Sequence, residues 1–199
     1  MKKPTLAALF AGCGGDSLGF VDADFELIYA NDNNGDACKT LRKKFENSSG
    51  KKIVHDGNIE KIKDFDHASV IIGGFPCQGF SLAGPRKVGD KRNMLYRELK
   101  RAIDSTNPEF FVAENVKGFV TIGEKGKTKY FHNGKIEKLG KVADAIIKEL
   151  SEIGKGYVVH RELLNAKDFG LPQNRERIII VGIRKDLDFT FKFPKSTHG

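Results

Sequence analysis

Apolar positions fall into short runs separated by helical spacings from the first residues of the chain onward. Leu6–Phe10 reads as a buried strand, and Asp16–Val21 as the helix that follows a glycine turn. Phe25–Ala30 predicts a second strand, and Asp36–Phe45 a helix with Ala37, Leu41 and Phe45 on one face. Ile53–His55 and Val70–Ile72 read as short third and fourth strands. Met94–Ser105 has amphipathic spacing that Asn107-Pro108 stops. Phe110–Glu114 predicts a fifth strand, and Gly140–Ile153 a helix with Val142, Ile146, Ile147 and Leu150 apolar. Tyr157–Leu164 and Arg177–Ile183 add two more strands. Regular alternation of strand and helix predicts an α/β fold, a mostly parallel sheet with helices on both faces. Thr121–Leu139 fits none of this. Rich in glycine and lysine, it reads as an exposed insertion or flexible loop. Phe193–Gly199 carries no capping pattern and reads as a chain that has been cut or that hands over to something else.

Composition narrows the setting. At 199 residues the chain is long enough for one good-sized core, and its apolar runs are strand-sized, too short to span a membrane. Met1-Lys2-Lys3-Pro4 leads straight into a strand, without signal-peptide architecture. Cys13, Cys38 and Cys77 are odd in number and form no C-x-x-C pair, and the histidines do not cluster. A disulfide framework or a metal site is therefore not expected, and a reducing cytoplasm is. The net charge of +8 and sequence pI near 9.3 point to nucleic acid as a partner, or to a merely basic soluble surface. Basic residues gather at Lys39–Lys44, over Arg86–Arg101, and in the six lysines of Glu124–Lys141.

Four constellations carry candidate chemistry. In Ile71–Ser81 a buried run empties into a Gly/Pro-rich loop holding Cys77. Ligands of open α/β sheets sit outside the carboxyl ends of the strands, so this thiol is placed as a nucleophile; the alternative is a buried cysteine acting as a small hydrophobe. Phe10-Ala11-Gly12-Cys13-Gly14-Gly15-Asp16 joins a strand to a helix, where glycines let a cofactor approach the backbone. G-x-G-G is neither the dinucleotide fingerprint nor a P-loop. With Asp32 twenty residues past Gly12, placed for a ribose diol, it suits a nucleoside cofactor without pyrophosphate, S-adenosylmethionine; the alternative is a tight turn beside a solvated Asp. Phe110–Val116 brings Glu114 to the sheet edge expected for Cys77. Burial there raises a carboxyl pKa, so the protonated acid is available to a ring nitrogen, unless Glu114 simply caps a helix or forms a salt bridge. In Gln173-Asn174-Arg175-Glu176-Arg177 the two arginines point to one side of an extended segment. They must meet carboxylates, a substrate carbonyl or a phosphate, unless they lie on an exposed edge strand.

Four blocks in this order resemble the cytosine-C5 DNA methyltransferase family of bacterial type: Phe10-x-Gly12-x-Gly14-Gly15, Gly74-Phe75-Pro76-Cys77-Gln78, Glu114-Asn115-Val116 and Gln173-x-Arg175-x-Arg177. Arg92-Asn93-Met94-Leu95 is a weaker match. The resemblance implies a Rossmann-like S-adenosylmethionine-dependent fold acting on a cytosine flipped out of double-stranded DNA. It assigns Cys77 to attack on C6, Glu114 to N3, and Arg175 with Arg177 in support to the base carbonyl. Phe10, Gly12, Gly14, Gly15, Asp32, Ile59, Pro76 and Leu95 would line the cofactor site, with Asn58 where the family places an adenine-binding Asp. Phe80–Asn93 corresponds to the loop that closes over DNA, with Gln78, Ser81, Arg86 and Lys87 against the nucleic acid. Asp32 stands where the family usually has Glu, and Asn33 where an aromatic or bulky apolar residue often follows. The resemblance also leads one to expect a target-recognition domain and a final motif after residue 199. A truncated chain, a split enzyme whose second chain carries the recognition region, and incomplete coverage are the three explanations. An RNA (tRNA) cytosine methyltransferase and a non-catalytic binding module are the competing functions; the Cys-Phe-Thr signature of the former is not in the sequence.

Overall fold

The structure, a computed structural model, describes residues 2–47, 50–76, 95–121, 125–132 and 135–198, with the backbone alone for 125–132 and 135–137. They divide into two compact units: Met1–Phe75 with Arg97–Val112, and Pro76–Tyr96 with Ala113–Gly199.

The first unit is built on β1 (Thr5–Leu9), whose four residues after Thr5 are all buried. β2 (Glu26–Asp32) and β4 (Val70–Gly73) flank it in parallel, with Leu6 opposite both Leu27 and Val70. β3 (Val54–Asp56) continues the parallel set beyond β2, placing Asp56 opposite Asp32. The order is β3-β2-β1-β4. β5 (Phe110–Val116) begins in this unit, where the Phe110 N–H donates to Ser69 O at 3.1 Å. Between β1 and β2 lies α1 (Gly15–Asp22). Between β2 and β3 lies α2 (Gly35–Leu41), capped by Asn34 Oδ1, which accepts from the Asp36 and Ala37 N–H groups.

The helix expected to run to Phe45 instead widens into a π turn at Arg42–Glu46. Two side chains use that change. Phe45 joins the core with Leu6, Leu27, Leu41, Val70 and Ile72, and Glu46 Oε1 accepts the N–H groups of Ile53 and Val54 at 2.7 and 2.8 Å. α3 (Tyr96–Thr106) ends as its sequence predicts: Asn107 turns left-handed at φ 46° and its N–H reaches Ile103 O, and Pro108 follows.

The second unit holds the rest of β5, α4 (Lys117–Val120), β6 (Lys125–His132), β7 (Lys135–Gly140), α5 (Lys141–Ser151), β8 (Tyr157–Asn165) and β9 (Glu176–Arg184). Its strand order is β5-β9-β8-β6-β7. β8 and β9 are antiparallel from Tyr157↔Arg184 to Asn165↔Glu176, while β6 meets β8 in parallel at Phe131↔Glu162. α5 buries Ala143, Ile146, Ile147 and Leu150, the face its spacing predicts.

One expectation is corrected here. Within Thr121–Leu139 the described residues 125–132 and 135–140 are not a flexible loop: β6 and β7 form an antiparallel hairpin with Phe131 opposite Ile136. Asn133-Gly134 between two alternating segments is a strong hairpin signal, masked by the lysine content. Lys138 on β7, the last strand of the order, is exposed, and a charge there protects an edge from further pairing. The C-terminal stretch makes contacts of its own. Asp168 O accepts the N–H groups of Thr197 and His198, and the Phe191 ring packs 5.4 Å from His160 and 5.0 Å from Phe193.

Candidate active site

β1 leaves the sheet through three left-handed residues, Phe10 (φ 53°), Gly12 (φ 53°) and Gly14 (φ 88°). Gly14 is obligatory. A Cβ there would lie 2.6 Å from Leu41 Cδ2 and 2.9 Å from Phe45 Cε2, whereas a Cβ at Gly12 or Gly15 would meet nothing within 4 Å. The turn is thus closed toward α2 and open on its Gly12/Gly15 side. Asp32, the last residue of β2, spans it: Oδ2 accepts the Gly12 N–H and Oδ1 the Asn34 N–H, both at 2.8 Å. Each oxygen keeps a further lone pair, so an open glycine turn with an acceptor at its rim fits a nucleoside with a free ribose diol. Asn58 caps the short turn Ile59–Lys61, its Oδ1 accepting from Glu60 N–H (3.0 Å) and its Nδ2 donating to Glu60 Oε2 (2.9 Å). Ile59 is buried, and its carbonyl accepts from Arg101 Nη2 at 3.0 Å.

Asn31 was not singled out by sequence reasoning, yet it organises this region. It is 2% exposed and its Nδ2 donates to both His55 O (2.8 Å) and Gly57 O (3.0 Å). With Gly57 N–H on Asp32 O, it fixes the path from β3 to Asn58. An amide directly after the apolar Ile28-Tyr29-Ala30 was the available signal.

The second constellation forms in the second unit. Glu114 on β5 meets both arginines: Arg177 Nε lies 2.6 Å from its Oε1, as a charge contact rather than an aligned hydrogen bond, and Arg175 Nη2 lies at 3.7 Å. Of the readings open for Glu114, the structure shows a salt-bridging acid that is one-quarter exposed, not an isolated acid in an apolar pocket. Arg177 Nη1 also donates to Glu176 O at 2.8 Å. Arg175 precedes β9, and its backbone is held on both sides. Its N–H donates to Asn165 Oδ1 (3.0 Å), and its carbonyl accepts from Ala166 N–H (3.0 Å). Asn165 Nδ2 further donates to Asn174 Oδ1 at 2.7 Å. Neither Asn165 nor the Lys117–Glu176 ion pair beside the cluster was anticipated, since both act across chain separations no local pattern reveals.

Cys77 and the expected nucleic-acid contacts Gln78, Ser81, Arg86 and Lys87 lie outside the described residues. Pro76 and Leu95, on either side of that segment, are half-buried. Of the other thiols, Cys13 is exposed in the glycine turn. Cys38 is buried, and burial first, with the Asp56 and Asp32 carboxylates adding to it, pushes its pKa up. Cys38 is thereby a structural thiol.

Residues 5–198 match the C-5 cytosine-specific DNA methylase family. The chain belongs to that family. The chain is 39% identical over 225 residues to the type II methyltransferase M.BspRI of Lysinibacillus sphaericus, covering 99% of the chain and 48% of the relative. It is 38% identical over 211 residues to M.AquIA of Picosynechococcus sp., covering 98% and 77% respectively. A solved structure described as a prophage-encoded DNA modification methyltransferase (E. coli) superposes with a TM-score of 0.72 at 25% identity, over 96% of this chain and 49% of that one. The S. pombe Dnmt2 methyltransferase shares the fold at a TM-score of 0.64 and 22% identity, over 96% and 53%. The chain spans about half the length of the first curated relatives it matches. Among its described residues no helix is long and apolar enough to cross a membrane.

Proposed function

We propose that this chain carries the catalytic half of a DNA cytosine-C5 methyltransferase of the restriction–modification type, acting on duplex DNA with S-adenosylmethionine as methyl donor. The observation that carries the reading is the Glu114–Arg177–Arg175 cluster, in a chain whose family methylates cytosine. Phe10, Gly12, Gly14, Gly15, Asp32, Asn58, Ile59, Pro76 and Leu95 would hold the donor, and the open side of the glycine turn supports that assignment. Bound there, S-adenosylmethionine supplies an electrophilic methyl group. The chain's own residues do the rest. The target cytosine must leave the base stack to expose C5 and C6. The Cys77 thiolate adds to C6, forming an S–C bond, and the 5,6 π electrons move into the ring. Glu114, sharing a proton with N3, and Arg175, donating to the base carbonyl, stabilise that charge; Arg177 orients Glu114. Loss of the proton from the methylated C5 then restores the double bond and expels Cys77. Gln78 lies against the nucleic acid, and Ser81, Arg86 and Lys87 contact phosphates, which position without specifying. Base-edge reading falls to a further segment or a second chain, in keeping with relatives about twice as long.

The test is covalent trapping. The chain is incubated with S-adenosylmethionine and a duplex containing 5-fluorocytosine, in which fluorine replaces the C5 hydrogen and cannot leave as a cation. The expected result is a stable protein–DNA adduct that Cys77→Ser abolishes. An adduct with 5-fluorocytosine RNA but none with DNA would transfer the reading to an RNA methyltransferase.

A further inference from the structure

β2 ends on two adjacent residues that both reach to the turn after β3. Asn31 Nδ2 donates to His55 O at 2.8 Å and to Gly57 O at 3.0 Å, and the Gly57 N–H donates to Asp32 O at 2.9 Å. The turn needs such a hold. Gly57 stands at φ 143°, a conformation that side chains rarely adopt, and a Cβ there would meet nothing within 4 Å. Packing therefore does not fix it, and the hydrogen bonds do. Asn58 follows directly and opens the short turn Ile59–Lys61. Asp32, for its part, carries its carboxylate to the N–H groups of Gly12 and Asn34. Asp32 is given to the ribose and Asn58 to the base of one nucleoside, and residue 31 lies between them in the network.

From this arrangement we propose that Asn31 is a positioning residue for the base end of the cofactor site: by holding the 55–57 turn on the end of β2, it sets Asn58 at a fixed place relative to Asp32. The inference rests on the cofactor role given above to Asp32 and Asn58. Two observations carry it. Asn31 is 2% exposed, and an apolar side chain would fill the same place without desolvating an amide. What the amide adds over such a filler is its hold on the turn. That hold is also particular to asparagine, because two carbonyls are served by the two hydrogens of one Nδ2. Aspartate has no hydrogen to donate, serine has one, and glutamine carries its amide a methylene further out. Asn31 itself touches no ligand; it acts through Asn58.

The decisive measurement titrates S-adenosylhomocysteine into the full chain by calorimetry, as parent, Asn31→Ala, Asn58→Ala and the double variant, with thermal melting as the check on folding. Asn58→Ala should weaken binding about tenfold, the factor that loss of one hydrogen bond corresponds to, and Asn31→Ala by about as much. A residue that acts through Asn58 has nothing to act on once Asn58 is gone. The double variant should therefore bind within about twofold of N58A, whereas a merely structural Asn31 predicts losses that multiply to about a hundredfold. Amide exchange by 15N NMR locates the effect without ligand. The Gly57 N–H should exchange about tenfold faster in N31A, while the Ala30 N–H, bonded to Ile53 O at 2.8 Å, changes by less than about twofold. Multiplying losses, unchanged affinity in N31A, or equal acceleration at Gly57 and Ala30 overturn the proposal. If N31A does not fold, Asn31→Ser, which keeps one donor, carries the same cycle. A loss of about threefold that disappears beside N58A then upholds the proposal, and one that persists overturns it. Failure of both variants to fold assigns Asn31 to the fold alone and overturns it too. A parent chain that binds no S-adenosylhomocysteine refutes the cofactor reading and this inference with it, while binding with multiplying losses refutes this inference only.

Discussion

Asp32 and Glu114 each stand toward the end of a strand, one in each compact unit, and their partners differ in kind. Asp32 is held by two backbone N–H groups, those of Gly12 and Asn34, at 2.8 Å each. Glu114 is held by two guanidiniums at the ends of long side chains. Backbone donors are fixed by the path of the chain and cannot be released without altering the fold. Guanidiniums exchange partners by rotation alone. Asp32 is therefore part of the architecture, whereas Glu114 sits among contacts that side-chain rotation can replace.

Substitutions in the first unit should accordingly cost stability. Gly14→Ala has the largest effect: a left-handed φ of 88° must carry a Cβ driven into Leu41 and Phe45. A loss of about 3 kcal/mol in urea unfolding is expected from backbone strain and overpacking together. Gly12→Ala, at φ 53° with open space, should lose only the strain, about 1 kcal/mol. If the two variants melt together, the packing against α2 is not what Gly14 serves. Asp32→Ala comes next. It strands the part-buried Gly12 N–H and leaves the exposed Asn34 N–H to water, and about 2 kcal/mol should be lost, with Asp32→Asn intermediate because one acceptor survives.

Glu114→Gln inverts the pattern. A quarter-exposed ion pair supports little, so its loss in stability should stay within about 1 kcal/mol. Trapping of 5-fluorocytosine DNA should nevertheless fall by about a hundredfold or more, the usual scale for removing a group that acts in the transition state. Retained trapping in a folded Glu114→Gln chain would remove Glu114 from the chemistry and end the contrast with Asp32.

What the sequence revealed follows from the same distinction. β1, β4, β5, α3 and the core face of α5 were legible because burial repeats with the period of the element. The glycine turn was legible because positive φ selects glycine. Asp32 closes β2, the strand end expected for it, but its backbone partners were not legible, because a hydrogen bond between β2 and the first turn leaves no local mark. Arg175 and Arg177 could be read as needing a carboxylate, and Glu114 supplies one. Lys117, Glu176 and Asn165 were invisible, since each looks like an ordinary surface residue until β5, β8 and β9 are brought together. The π turn after α2 was illegible too. Phe45 keeps helical spacing from Leu41, and only the hydrogen bonds of Glu46 to β3 show why the turn is wider.

The smallest effect has the opposite sign. Tyr29, three residues before Asp32 on β2, is 2% exposed and stacked on His55, with ring centroids 4.4 Å apart. Its hydroxyl has no hydrogen-bond partner among the described residues. Burial, with the Asp66 charge adding and Arg101 opposing, pushes its pKa from 10.0 up to about 12. Phenylalanine keeps the ring and its stacking while removing an unsatisfied polar group, so Tyr29→Phe should gain up to about 1 kcal/mol near neutral pH. The pH dependence fixes the sign independently. A phenol whose folded pKa is raised is favoured in its neutral form, so its share of stability is intact below pH 10. That share is lost as pH rises through 10 toward 12, where the unfolded chain ionises first. The advantage of Tyr29→Phe over the parent chain should therefore widen between urea titrations at about pH 9 and about pH 11. An advantage that stays constant would mean that Tyr29 ionises as an ordinary exposed phenol, and that the floor beneath Asp32 is open to water rather than packed shut.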